Sequence, residues 1–126
     1  MSQLIAAAIA VRRRELRSRN RKSRAALKRF INNIDVLRQC ARNHGYALAV
    51  HGSLMRDIDL VAVPWTLKAA RGRSLKDAME KLCLALNGGK GVYGSRCGTR
   101  KPHGRRTYTI HFGDTYIDLS IMPRKT

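Results

Sequence analysis

Twenty-six Lys and Arg residues stand against eight Asp and Glu in this chain of 126, leaving a formal charge of +18 and a pI near 11.2. Any fold it adopts must be assembled against its own repulsion, and the finished surface attracts polyanions. Nucleic acid is the favoured partner, because each phosphate contact releases condensed counterions. An anionic membrane is the weaker alternative. An apolar content of 44% is ordinary for a globular protein, and the length suits one domain with a modest core.

The charge is unevenly spread. Residues 12 to 29 hold ten basic side chains and one acid, Glu15, with no Gly or Pro among them. Arg and Ala favour helix, so residues 1–22 read as a basic helical arm. The cations that would track a phosphodiester backbone are Arg12, Arg13, Arg14, Arg17, Arg19, Arg21, Lys22 and Arg24. A domain of residues 23–126 follows. Leu27, Phe30, Ile31, Ile34, Leu37 and Ala41 recur at helical spacing, with Ser23 as the expected N-cap and Gly45 as the stop.

The apolar N-terminus precedes its positive charge, the reverse of a secretory signal. No segment approaches the roughly 20 apolar residues of a membrane span. Cys40, Cys83 and Cys97 are widely spaced and odd in number, which argues against a disulfide framework. The expectation is a soluble, cytoplasmic protein with Cys83 in its core.

Tyr46–Val50 reads as a buried strand, and residues 57–63 as a second one closed by Pro64. Ser74 to Leu86 reads as a helix with a Ser74–Asp77 capping box; it buries Leu75, Ala78, Met79, Leu82, Cys83 and Leu86. Residues 88 to 104, rich in Gly and basic residues, read as a mobile loop. Arg106–Phe112 and Thr115–Met122 form two strands around Gly113-Asp114, a hairpin signal. The order is α, β, β, α, β, β. The fold class is α/β (α+β): a small mixed sheet of about four strands with helices against one face.

Aspartate is depleted in strands, yet three of the eight acids fall in strand contexts. Asp57 and Asp59 are separated by one residue, so their side chains share a face. Asp118 lies between Ile117 and Leu119. Carboxylates held on strands suit a divalent cation, Mg2+ or Mn2+, which takes hard oxygen ligands together with phosphate and water. Such ions stabilise the attacking and leaving oxygens of phosphoryl or nucleotidyl transfer. Arg56 has two readings, a partner for Asp57 or a contact for nucleotide phosphate. Just upstream, Gly52-Ser53 forms a turn where backbone and hydroxyl can approach phosphate oxygens.

These features together resemble the nucleotidyltransferase superfamily, the DNA polymerase beta-like fold. Its pattern is a hydrophobic strand, Gly-Ser, Asp-x-Asp on the next strand, and a third acid on a later strand. The stretch AVHGSLMRDIDLVAVPW, residues 49–65, is similar to the first part, and YIDLSIMPR, residues 116–124, supplies the third acid. The chain looks most like small nucleotidyltransferase-like proteins encoded by bacteriophages, which would place it in a host cytoplasm. The resemblance spans roughly residues 44 to 124 and leaves out the basic arm. It implies that Gly52 and Ser53 contact nucleotide phosphates. It also implies that Asp57 and Asp59 bind metal and that Asp118 completes the catalytic site. The family places a helix between Gly-Ser and Asp-x-Asp. Here only Leu54, Met55 and Arg56 intervene, so that helix is shortened or deleted.

Lys101, His103 and Arg105 lie before the strand at Arg106 and can reach a triphosphate, or form a solvated basic loop. His51, beside Gly52, reads first as a buried, hydrogen-bonded histidine and second as a site residue; Trp65 reads first as a packing residue at a strand exit and second as a base-stacking one. Cys97, His103 and His111 match no zinc-ligand spacing. The expected activity is metal-dependent transfer of a nucleotidyl group from a nucleoside triphosphate to a hydroxyl, on an RNA end such as that of tRNA. The alternative is a catalytically impaired member that binds nucleotide or nucleic acid. A packaging protein would explain the charge but leave the strand aspartates without a role.

Overall fold

Nothing between Gln3 and Asn32 breaks a helix: the segment has no Gly or Pro, and Ala, Leu and Arg dominate it. In the computed structural model, which describes residues 2–52 and 58–124 apart from the side chains of residues 18 and 19, this segment is one 30-residue helix, α1. Its cap is Ser2, whose hydroxyl accepts the Ile5 N–H at 3.2 Å. The helix start expected at Ser23 is therefore not there. Ser23 lies inside α1, and its hydroxyl donates to the Asp114 carbonyl at 2.9 Å. Only the last turns of α1 pack down, burying Ala26, Leu27 and Phe30.

Asn33 interrupts the run expected to continue to residue 43. Its side-chain amide donates to the Arg29 carbonyl at 2.7 Å, and its backbone N–H to Phe30 at 3.0 Å. Such local bonding competes with helix continuation. A second helix, α2 (Ile34–Asn43), buries Leu37 and Ala41. Ile31, expected on the buried face, is left exposed because the periodicity restarts after Asn33. Gly45 ends the helix as expected: its φ is +84°, and a Cβ there would lie 2.7 Å from the Ala69 Cα.

Strands β1 (Tyr46–His51) and β2 (Ile58–Pro64) pair antiparallel. Helix α3 (Gly72–Leu86) begins two residues before Ser74. The expected capping box is absent: the Ser74 N–H already bonds the Arg71 carbonyl at 2.9 Å, and Arg71 is the N-cap, with no side-chain cap bond. Next come β3 (Val92–Gly94), β4 (Thr99–Arg100), a 3-10 turn (Pro102–Gly104), β5 (Arg106–Phe112) and β6 (Thr115–Ile121).

The sheet has six strands where about four were expected, because residues 88–104 contribute β3 and β4 instead of a plain loop. Strands of three and two residues are too short to show alternation in a sequence. The order is β1-β2-β6-β5-β3, with β4 also paired to β5, and among the described residues only β2 and β6 run parallel.

Alternation divides the sheet cleanly. Ile58, Leu60, Ala62, Tyr108, Ile110, Phe112, Ile117, Leu119 and Ile121 face the helices and are buried with Leu75, Met79 and Cys83 of α3. The opposite face is open. Lys76 is the exception within the core, 4% exposed, with its ammonium 2.8 Å from Glu80 Oε2 and 6.0 Å from the centre of the Tyr108 ring. The other Glu80 oxygen accepts the Gly94 N–H and so ties α3 to β3. Trp65, expected to pack, is 66% exposed because it lies beyond the end of β2. Among the described residues no helix is long and apolar enough to cross a membrane.

Glu80→Gln removes the nearer of the two carboxylates on the buried Lys76 ammonium and leaves only Asp77 at 3.6 Å, and should lower stability in urea denaturation by about 2 to 3 kcal/mol. Lys76→Met removes the charge and keeps the length, and should stay within about 1 kcal/mol of wild type. Burial also pushes the Cys83 thiol from 9.0 up to about 12. The folded protein keeps the proton where the unfolded chain loses it. This contribution is therefore complete below about pH 9 and is lost as pH rises towards 12. The stability difference between wild type and Cys83→Ala should shrink between about pH 8 and about pH 11 in urea midpoints.

Candidate active site

The parallel pairing of β2 with β6 sets Asp59 directly beside Asp118. Both neighbours of each aspartate, Ile58 and Leu60 or Ile117 and Leu119, point into the core. Strand alternation therefore sends both carboxylates to the open face. The same register extends sideways, with His51 of β1 opposite Asp59 and Thr109 of β5 opposite Asp118. Four adjacent strands thus present one transverse row: His51, Asp59, Asp118, Thr109. Neighbouring strands lie about 4.8 Å apart, so the two carboxylates are immediate neighbours.

Each is held from a different side. Thr109 Oγ1 donates to Asp118 Oδ1 at 3.3 Å. Gly52, with φ +84°, turns the chain at the end of β1, and a Cβ there would lie 3.1 Å from Asp59 Oδ2. A larger residue there would press on the carboxylate and push it aside by a few tenths of an ångström. A shallow cleft of about 240 Å³ runs over the row, lined by His51, Asp59, Val61, Arg105, Asp118 and Ser120. Ser120 lies 3.3 Å, oxygen to oxygen, from the Thr107 hydroxyl.

Of the residues singled out in the sequence, this arrangement unites Gly52, Asp59, Asp118 and Arg105. Lys101 and His103 do not line the cleft. They belong to the tight turn closed by the Lys101 N–H on the Arg105 carbonyl at 2.8 Å, in which His103 adopts φ +66°. Ser53, Arg56 and Asp57 lie outside the described residues. His51 is exposed on the open face and not buried as expected. Since Val50 packs against the core, alternation alone sends the next side chain outward. Ser120 carried the same signal, two residues beyond Asp118. Along α1, Arg12, Arg13, Arg14, Arg17, Arg21, Lys22 and Arg24 are all exposed, while the Arg19 side chain lies outside the description.

Two adjacent carboxylates repel each other unless a cation lies between them. The nearby hydroxyls of Thr109 and Ser120 are also hard oxygen donors, so the set fits magnesium or manganese. Among the described residues no group of three or more His, Cys, Asp or Glu side chains could hold a metal ion. Two carboxylates, with water and substrate phosphate completing the shell, are an ordinary magnesium arrangement.

Gly52→Ala should cost more than the same change at Gly88, where φ is +73° but nothing lies within 4 Å of an added Cβ. The Gly88 variant should lose about 1 kcal/mol for the left-handed backbone, and the Gly52 variant clearly more. Placing Asp59→Ala in the Gly52→Ala background should close most of that gap, as read from urea denaturation.

Comparisons with protein-family models, with curated proteins and with solved structures found no match for this chain.

Proposed function

We propose that the protein transfers a nucleotidyl group from a nucleoside triphosphate to a hydroxyl, with RNA as the acceptor. The observation that carries this reading is the placement of Asp59 and Asp118 side by side on parallel strands, next to the Gly52 turn. A divalent cation bound there would neutralise phosphate charge and favour the attacking and leaving oxygens.

The chain's own residues then have separable tasks. Asp118, oriented by Thr109, accepts the proton of the acceptor hydroxyl. The hydroxyl oxygen forms a bond to the α-phosphorus as the bond to the β-phosphate oxygen breaks, and pyrophosphate leaves. Arg105, at the edge of the cleft, attracts the phosphates. Gly52 keeps the approach to Asp59 free of a side chain. The exposed cations of α1 hold the acceptor strand by its backbone and carry no base specificity.

Incubating the protein with Mg2+, labelled triphosphates and total RNA tests the reading. Wild type should label RNA, and Asp59→Asn and Asp118→Asn should each reduce labelling roughly a hundredfold or more. Equal labelling by wild type and both variants would sink it. Triphosphate binding by wild type without any transfer would favour a binding module on the same fold.

A further inference from the structure

A second concavity, about twice the volume of the carboxylate cleft, is built into the core domain. It lies on the helix-covered side, where β6 ends, β5 begins and α3 starts, and it measures about 480 Å³. Five arginines line it: Arg71, Arg73, Arg96, Arg106 and Arg124. They come from the entry to α3, the segment between β3 and β4, the first residue of β5 and the chain after β6. No Asp or Glu is among the described lining residues. Of the five, Arg124 has a hydrogen bond, Nη1 to the Ala69 carbonyl at 3.3 Å. The ion pairs of the described residues lie elsewhere, between Arg38 and Asp35 and around Lys76.

Cations gathered from four separate segments around one cavity repel one another, and folding alone gives no reason to gather them. An anion placed among them removes that penalty. Arginine forks match phosphate oxygens in geometry as well as charge. The walls have a second character, because Ile121, Met122 and Pro123 offer apolar surface beside the cations. We infer that this cavity is a second ligand site, which takes the linked phosphates of a nucleoside polyphosphate on its arginines and the base and sugar against its apolar wall. A single phosphate would leave most of the five cations unanswered and the wall unused. The cavity volume is that of ordinary small-ligand sites.

This site does not depend on the proposed transfer chemistry. Its floor includes Tyr46 and Tyr108, whose side chains point to the covered face, whereas Asp59 and Asp118 occupy the open one. Arg105 and Arg106, consecutive in the chain, mark the division: the first lines the carboxylate cleft and the second the arginine cavity.

Cys97 provides the readout, being exposed and part of the cavity wall, while Cys40 is only half-exposed on α2. The full chain is alkylated with N-ethylmaleimide in EDTA at fixed ionic strength, and each cysteine is followed by mass spectrometry. ATP should slow alkylation of Cys97 several-fold and leave Cys40 unchanged, while adenosine and inorganic phosphate protect far less. Arg73→Ala/Arg96→Ala should need about tenfold more ATP or beyond for equal protection. Asp59→Asn should be protected like wild type, which separates failure of this site from failure of the carboxylate site. The inference is overturned if ATP up to about 1 mM gives no protection, if the double variant is protected equally, or if a short RNA protects Cys97 and ATP does not.

Discussion

Among the described residues one strand contact is parallel, β2 against β6, and the placement of the carboxylate pair depends on it. An antiparallel neighbour could also have placed two aspartates together, but here the contact inserts β6 between β2 and β5. The strand bearing Asp118 is therefore central. Its two flanks supply its neighbours in the row, Asp59 on one side and Thr109 on the other. The buried alternate residues, Ile117 and Leu119, fix which face the carboxylate takes. A slip of one residue would turn Asp118 into the core and expose both of them. Hydrophobic burial and the placement of the carboxylate pair are thus secured by the same register.

Charge is organised around this frame instead of being neutralised. With eight acids in the chain, most cations have no partner to find. The acids that do pair are used sparingly: Glu80 and Asp77 answer the buried Lys76, and Asp35 meets Arg38 on the surface. Among the described residues, Asp59 and Asp118 take no part in such pairing and lie on the open face. The remaining positive charge collects along α1 and around the mouth of the arginine cavity. The two carboxylates therefore sit in a field that draws polyanions towards them.

Much of this could be read from residues in order. Tyr108, Ile110 and Phe112 alternate so regularly before Gly113 that β5 begins and ends where expected, at Arg106 and Phe112. Gly45 marked the end of a helix because nothing larger fits against Ala69. Other features were beyond local signals. Ser23 looks like a cap, but α1 is helix-favouring on both sides of it, and the hydroxyl finds a distant carbonyl instead. Asn33 breaks the helix through a side-chain bond that competes with the backbone. Strands β3 and β4 exist only because β5 offers an edge to them. For the site, Asp59 and Asp118 were each recognisable as aspartates misplaced in apolar strands. Their adjacency is a matter of register, which no local pattern encodes. The apolar neighbours of His51 favour burial, yet alternation with Val50 sends it outward, where it lines the cleft.

The continuity of α1 has a mechanical consequence. A helix of 30 residues is about 45 Å long, and it is clamped only near one end, through Ala26, Leu27 and Phe30. Ser23 fastens the helix just before that clamp to the turn between β5 and β6, through the Asp114 carbonyl. The free length works as an oar with its rowlock at that turn. A load on the free length is therefore delivered first to the turn that leads into the strand of Asp118.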